Sequence, residues 1–228
     1  PFDQDADNLH ERNRGSLLVE VQPFVLITDR DYILLDTGLG FTGRQGELWL
    51  HRNLTDHGIN PSDITLVLMS HLHKDHTGGI TRDDHKGGRS LSFPQATYYV
   101  NKEELAFGLA HDGTSYEAAD FKLLQDSEQA VLTGSEGDID GYIHYQVTGG
   151  HSPHHQVFWI RDAEGICFFG GDVAPQASQM KNRFRAKYDY DGKKSMELRQ
   201  QFLEQGTREG WTFLFYHDIK TPFTKFNP

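Results

Sequence analysis

Sulfur is scarce in this chain. Among 228 residues there is one cysteine, Cys167, so no disulfide can form within it. That scarcity fits a reducing compartment. Cys167 lies in the apolar stretch 165–169, which reads as a strand, and buried packing is expected of it rather than thiol chemistry. Positive charge is also in short supply. Lys and Arg number 22 against 33 Asp and Glu, a net charge of −11. Nucleic-acid binding leans on clustered cations to offset phosphate, so no nucleic acid is expected as a partner. No apolar run approaches the roughly 20 residues that cross a bilayer, so no membrane is expected either. No secretory leader is visible, and the cytoplasm is the expected location. Repeats, low-complexity tracts and linkers are absent as well. The chain is long enough for one sizeable domain and short for two. It divides into a polar N-terminal arm, 1–15, and a single domain, 16–228.

What the chain does have, in unusual number, is histidine: 13 residues. Residues 70–79 read S-H-L-H-K-D-H-T-G-G, directly after the apolar run 64–69. Three histidines and an aspartate at the end of a buried strand call for a chemical reason.

The elements around this stretch are legible from pattern. Residues 16–21, 24–27 and 32–35 read as strands, with turn material at 28–31 and a stop at Asp36-Thr37-Gly38. This opening resembles an antiparallel meander. A helix is expected from about Gly46 to His57, ending at Gly58. The strand 64–69 follows, and a strand–helix–strand unit of this kind makes parallel neighbours. Residues 81–93 are expected as a loop. A strand at 96–100 leads to a helix at 102–110, with Asn101 as cap and Glu104 completing what looks like a capping box. Strands are expected at 142–147, 156–160, 166–169 and 212–216, and a helix at 195–209. The order suggests two sheets covered by helices on the outside.

The strands end repeatedly on the same kinds of residue. Met69 leads to His71, His73, Asp75 and His76; Val147 leads to His151; Phe169 leads to Asp172; Tyr216 leads to His217. In layered α/β folds the strand ends form the rim where sites are built. Neutral imidazoles and carboxylates are good ligands for zinc, iron or manganese. Seven such groups exceed one tetrahedral ion. Two ions roughly 3.5–4 Å apart, with one carboxylate bridging, would use them all. In an extended stretch His71, His73 and Asp75 point to one side, and His76 breaks the alternation. Gly78 and Gly79 allow a turn there and leave room for a ligand. A surface turn with scattered polar residues would explain a lone histidine, but not this set. Most other histidines read as ordinary surface residues, although His154 or His155, so close to His151, could support a ligand. Phe184, Tyr188 and Tyr190 could overhang the site.

In these residues the chain resembles the metallo-β-lactamase-fold hydrolases. The matching elements are Asp36-Thr37-Gly38, His71-Leu72-His73-Lys74-Asp75-His76-Thr77-Gly78-Gly79, Gly150-His151-Ser152, Gly171-Asp172 and His217-Asp218, in the family's order. The resemblance implies an α/β fold: an αββα four-layer sandwich of two mixed β-sheets flanked by helices. It implies two divalent metal ions, zinc first and manganese or iron as alternatives. One would use His71, His73 and His151. The other would use Asp75, His76 and His217, and Asp172 would bridge. It implies hydrolysis by a metal-bridging hydroxide, oriented by Asp75, of a small ester or lactone. The expected partner is thus a small-molecule substrate, with a homodimer left open.

Departures narrow the branch. The common antibiotic-hydrolysing members replace the histidine at His76 or carry cysteine at Asp172, and flavodiiron proteins have glutamate at His73. The chain looks most like the branch of N-acyl homoserine lactonases and methyl parathion hydrolase. Pro175 stands where those lactonases carry a tyrosine, three residues after the bridging aspartate. Members of this branch usually have a further strand or two before the region matching Ser16. The competing readings are a mononuclear iron dioxygenase similar to the persulfide dioxygenases, a glyoxalase II-like thioesterase, a nuclease, and a metal- or partner-binding module without turnover.

Overall fold

A computed structural model describes residues 19–44, 46–84 and 87–227. The expected arm, 1–15, and the start of the first expected strand, 16–18, lie outside the described residues. The chain opens with β1 (Phe24–Ile27) and β2 (Tyr32–Leu35), an antiparallel pair. Thr28 turns the chain between them, its N–H donating to the Asp31 carbonyl at 2.9 Å. Helix α1 (Trp49–Asp56) is shorter than its apolar spacing predicts, and Gly58 follows it with a φ of +78°. That left-handed conformation suits glycine and ends the helix as expected.

Strand β3 (Leu66–Leu68) is buried throughout and runs parallel to β2. The histidine-rich stretch follows and contains a short helix, α2 (Lys74–Thr77). Residues expected as a loop instead form a hairpin, β4 (Thr81–Asp83) with β5 (Arg89–Leu91). Its strands are three residues each and polar, so alternation could not reveal them. Next come β6 (Thr97–Asn101), α3 (Lys102–Ala110) and α4 (Ala118–Phe121). Strands β7 (Ala130–Thr133) and β8 (Glu136–Ile139) were not expected from the pattern. They precede β9 (Ile143–Val147), β10 (Gln156–Asp162) and β11 (Gly165–Phe169). The chain then forms α5 (Ala177–Met180), α6 (Gly192–Glu209), β12 (Thr212–Leu214) and β13 (Phe223–Lys225). The last expected strand therefore stops two residues before Tyr216.

The strands make two main sheets, ordered β1-β2-β3-β6-β7 and β13-β12-β11-β10-β9-β8. Side-chain alternation sorts their residues into separate cores. Ile33, Leu35, Leu66 and Leu68 face Phe158, Ile160, Phe169 and Leu214 between the sheets. Leu34 and Val67 point the other way, against Leu54 of α1 and Leu105 of α3. Val157, Trp159, Phe168 and Phe213 face outward onto Phe202 of α6. Three cores mean four layers, helix–sheet–sheet–helix, as the resemblance implied. In α6 the buried residues Ser195, Arg199, Phe202 and Gly206 recur at the three- and four-residue spacing of one helix face.

The loops after β3, β9, β11 and β12 carry His71 to His76, His151, Asp172 and His217. The rim expected from sequence is therefore present, and all four loops converge on it.

Candidate metal centre

The seven expected residues come together in two sets joined by one carboxylate. His71, His73 and His151 form one set, and Asp75, His76 and His217 the other. Asp172 lies between them. Its Oδ2 is 3.3 Å from His151 Nε2, and its Oδ1 is 3.2 Å from His76 Nε2 and 3.0 Å from His217 Nε2. Asp75 Oδ2 lies 3.5 Å from His217 Nε2 and 3.9 Å from His76 Nε2. His73 turns its Nδ1 inward, 2.9 Å from His151 Nε2. Simple alternation would have grouped Asp75 with His71 and His73. The helical turn of α2 begins at Lys74 and swings Asp75 to the side of His76 instead.

Four of the five imidazoles are oriented from behind by a fixed partner, which decides which ring nitrogen faces inward. His76 Nδ1 donates to Asp36 Oδ2 at 2.7 Å. His217 Nδ1 donates to the Glu20 carbonyl at 2.6 Å, and His151 Nδ1 to Asp189 Oδ1 at 2.9 Å. Ser70 Oγ donates to Asp36 Oδ2 and sits 3.0 Å from His71 Nδ1, where it can accept. The Nε2 atoms of His71, His76, His151 and His217 are thereby left to face the centre. His71 Nε2 is buried with no hydrogen-bond partner, and Asp172 Oδ1 is approached by the ring nitrogens of both His76 and His217. A buried polar atom is rarely left orphaned, so a missing positive partner fits His71.

The electrostatics agree with a cation. Burial, together with the neighbouring histidines, pushes His71 well below the ordinary histidine range and His73 down to about 3. Both imidazoles are neutral and have a lone pair to offer. Burial works the same way on His76, but Asp172, Asp36 and Asp75 outweigh it and hold its pKa well above the usual range. Burial raises Asp172, yet His217, His76 and His151 outweigh that and keep its carboxyl well below the carboxylate range. A spot that favours a proton so strongly also favours a dication, and the nitrogen and oxygen donors suit zinc, iron or manganese.

Several further residues support the site. Asp36 is fully buried at a φ of +54°, a strained conformation for a residue other than glycine. Its carboxylate accepts from Ser70 N–H, Ser70 Oγ and His76 Nδ1, which holds it there. Asp189 reaches His151 from a loop 38 residues downstream. Tyr216 stacks on His76 with centroids 4.1 Å apart, and its hydroxyl donates to the Asp75 carbonyl. Of the two histidines near His151, His155 is the one that supports the site. It is fully buried, and its Nε2 accepts from the Asp172 N–H at 3.1 Å.

Gly78 and Gly79 are needed for close backbone approach rather than to leave room. A Cβ on Gly78 would lie 2.2 Å from the Leu39 carbonyl carbon, and one on Gly79 2.4 Å from the Thr37 carbonyl oxygen. The segment after β2 fills the space that the sequence suggested for a ligand. An open groove of about 450 Å³ lies beside this segment, lined by Val19, Val21, Leu39, Phe41 and Trp49 together with Glu20 and Thr37. Glu20 and Thr37 bond His217 and His76, so the groove borders the second set. Of the three aromatic residues that could overhang the site, Tyr188 places its ring 5.8 Å from His151, whereas Tyr190 is 72% exposed. Cys167 packs against the inter-sheet core, and burial pushes its thiol up to about 12. Among the described residues no helix is long and apolar enough to cross a membrane.

The chain is similar to known proteins. The profile of the metallo-beta-lactamase superfamily matches residues 19–217. An N-acyl homoserine lactonase, AttM, from Agrobacterium fabrum is 34% identical over 112 residues, 46% of this chain and 38% of that relative's length. An N-acyl homoserine lactonase from Bacillus cereus is 24% identical over 237 residues, covering 90% of this chain and 84% of its own. Among solved structures, a probable metal-dependent hydrolase from Staphylococcus aureus superposes with a TM-score of 0.79 at 21% identity, covering 92% of this chain and 78% of its own. AidC, described as a dizinc quorum-quenching lactonase, gives a TM-score of 0.75 at 20% identity, covering 92% of this chain and 76% of its own. At such identities the structural likenesses concern the fold. The profile match takes in most of the chain, and the four layers and converging strand ends accord with it: the chain belongs to the metallo-beta-lactamase superfamily, whose sandwich fold it has.

Proposed function

We propose that the protein is a dinuclear metal-dependent hydrolase of a small ester or lactone. The observation that carries this reading is the placement of Asp172, with one oxygen toward His151 and the other toward His76 and His217. A single carboxylate shared in this way is what two adjacent cations need. His71, His73 and His151 would hold one ion, Asp75, His76 and His217 the other, and Asp172 both. Zinc is the favoured ion, given the predominance of imidazole nitrogen. When bound, the pair would supply Lewis acidity and lower the pKa of a bound water to about 7.

The chain's own residues would do the rest. Asp75 is the candidate catalytic carboxylate. Its side chain is one-third exposed beside two buried histidines, so it can accept a proton from an incoming water and orient it. Asp36, Glu20 and Asp189 keep three imidazoles in one tautomer, so the donor set is preorganised and need not rearrange during reaction. The groove edged by Leu39, Phe41 and Trp49 offers an apolar wall for the non-reacting part of a substrate.

The lactonase names of the relatives favour an ester-like bond. Pro175, which accepts from the His217 N–H through its carbonyl, brings no hydroxyl to the position where the lactonases carry a tyrosine. An ester therefore stands beside a lactone as substrate. The test is hydrolysis of lactone, aryl ester, thioester, phosphotriester, β-lactam and nucleic acid by zinc- or manganese-loaded protein, with and without chelator. Turnover of a lactone or aryl ester that chelator abolishes is expected. No turnover of any of them by protein holding two equivalents of metal would overturn the proposal.

A further inference from the structure

Glu104 looks in the sequence like the second half of a capping box, but it does something else. Asn101 caps α3 as expected, its Oδ1 accepting from the Glu103 and Glu104 N–H groups at 3.0 Å each. The Glu104 side chain does not return to the cap. It points inward and is 1% exposed. Its Oε1 accepts from the Leu72 N–H at 3.2 Å and the Tyr116 hydroxyl at 3.1 Å, and its Oε2 accepts from Ser152 Oγ at 2.9 Å.

The three donors share one property. Leu72 sits between His71 and His73. Ser152 follows His151. The Tyr116 ring lies edge-on to His73, with centroids 4.8 Å apart. One buried carboxylate thus ties together the two loops and the aromatic wall that carry the first histidine set. It makes no hydrogen bond to the Asp75, His76 and His217 set, which is held instead by Asp36, Glu20 and Tyr216. Burying a carboxylate is costly unless it is well bonded, and a simple helix cap does not require it. Burial accordingly pushes the Glu104 pKa up, opposed by these same three donors.

We propose that Glu104 is a positioning residue for the His71, His73 and His151 set: it locks the loop after β3 to the loop after β9, so that three imidazole nitrogens stay aimed at one point. This rests on the dinuclear reading above. The geometry also predicts which replacement is tolerated. In Glu104→Gln the amide oxygen can still accept from the Leu72 N–H and the Tyr116 hydroxyl, and the Ser152 hydroxyl can reverse and accept from the amide nitrogen. In Glu104→Ala all three donors lose their partner.

The test is titration of the metal-free protein with Co²⁺ against a competing chelator, following the d–d absorption of each bound ion. His73→Ala and His217→Ala identify which step belongs to which set. Glu104→Ala is expected to weaken the step that His73→Ala abolishes by about 10- to 100-fold, the range for partners that orient ligands. The step that His217→Ala abolishes should be unchanged, and Glu104→Gln should bind both ions as the wild type does. Should Glu104→Ala fail to fold, Ser152→Ala, which removes one arm, should weaken the same step alone. Equal weakening of both steps, or no weakening of either, would overturn the proposal while leaving the dinuclear reading intact. A wild-type protein that binds fewer than two ions would overturn that reading, and this inference with it.

Discussion

The two halves of the centre are built on different principles. The His71, His73 and His151 half is all nitrogen. Burial keeps His71 and His73 neutral, and their order comes from a clasp of loops around Glu104. The half with Asp75, His76 and His217 mixes nitrogen with oxygen. Its field favours positive charge, and its order comes from backbone and carboxylate contacts of the segments before β1 and after β2. Both halves have a carboxylate behind one imidazole, Asp189 behind His151 and Asp36 behind His76, but only the second half has a carboxylate, Asp75, among its own donors. The halves should therefore respond differently to substitution, although they meet at one aspartate.

The largest effect should come from removing what they share. Asp172→Ala deletes the carboxylate facing both sets and should cost on the order of 10³-fold in turnover or more, comparable to losing a preorganised electrostatic contact. Metal analysis should find fewer than two ions per chain. Retention of both ions at wild-type affinity would mean that the halves do not depend on a bridge.

A smaller and selective effect is expected from Asp36→Asn. The amide can still accept from one donor, but it no longer supplies the charge that fixes His76. Metal affinity of the second half should fall about 10- to 100-fold, and that of the first half by less, because Asp36 reaches His71 only through Ser70. Competition titration would read this directly, and an equal loss in both halves would erase the distinction between them.

The smallest effect on the centre should come from the inter-sheet core. Phe158 is fully buried there, and Phe158→Ala should cost about 3–5 kcal/mol of stability, measured by denaturant unfolding. The folded fraction should still bind two ions with unchanged relative affinities, because the substitution touches neither set's supports.

How much of this was legible depended on sequence distance. His71, His73, Asp75 and His76 lie within six positions, so their spacing announced them. His151, Asp172 and His217 were legible because each closely follows an apolar strand. Asp189 was not, because its loop shows no pattern and only the chain's path brings it to His151. Glu104 was misread because local spacing matched a cap while the tertiary contacts turned the side chain inward. The hairpin of β4 and β5, and the strand β8, escaped notice because three or four mostly polar residues are too few to show the alternation that burial imposes.

The sequence by itself determined the layered fold class and the seven polar residues at the strand ends. Those depend on local periodicity and on the chemistry of side chains, which the order of residues carries directly. Only the tertiary structure decided how the seven divide into two sets, which ring nitrogen of each histidine faces inward, and which residues hold them. Those choices rest on contacts between segments far apart in sequence: Asp36 with His76, Glu20 with His217, Asp189 with His151 and Glu104 with Ser152. Hydrogen bonds of this kind act over about 3 Å, and no sequence spacing encodes which distant segments will come that close.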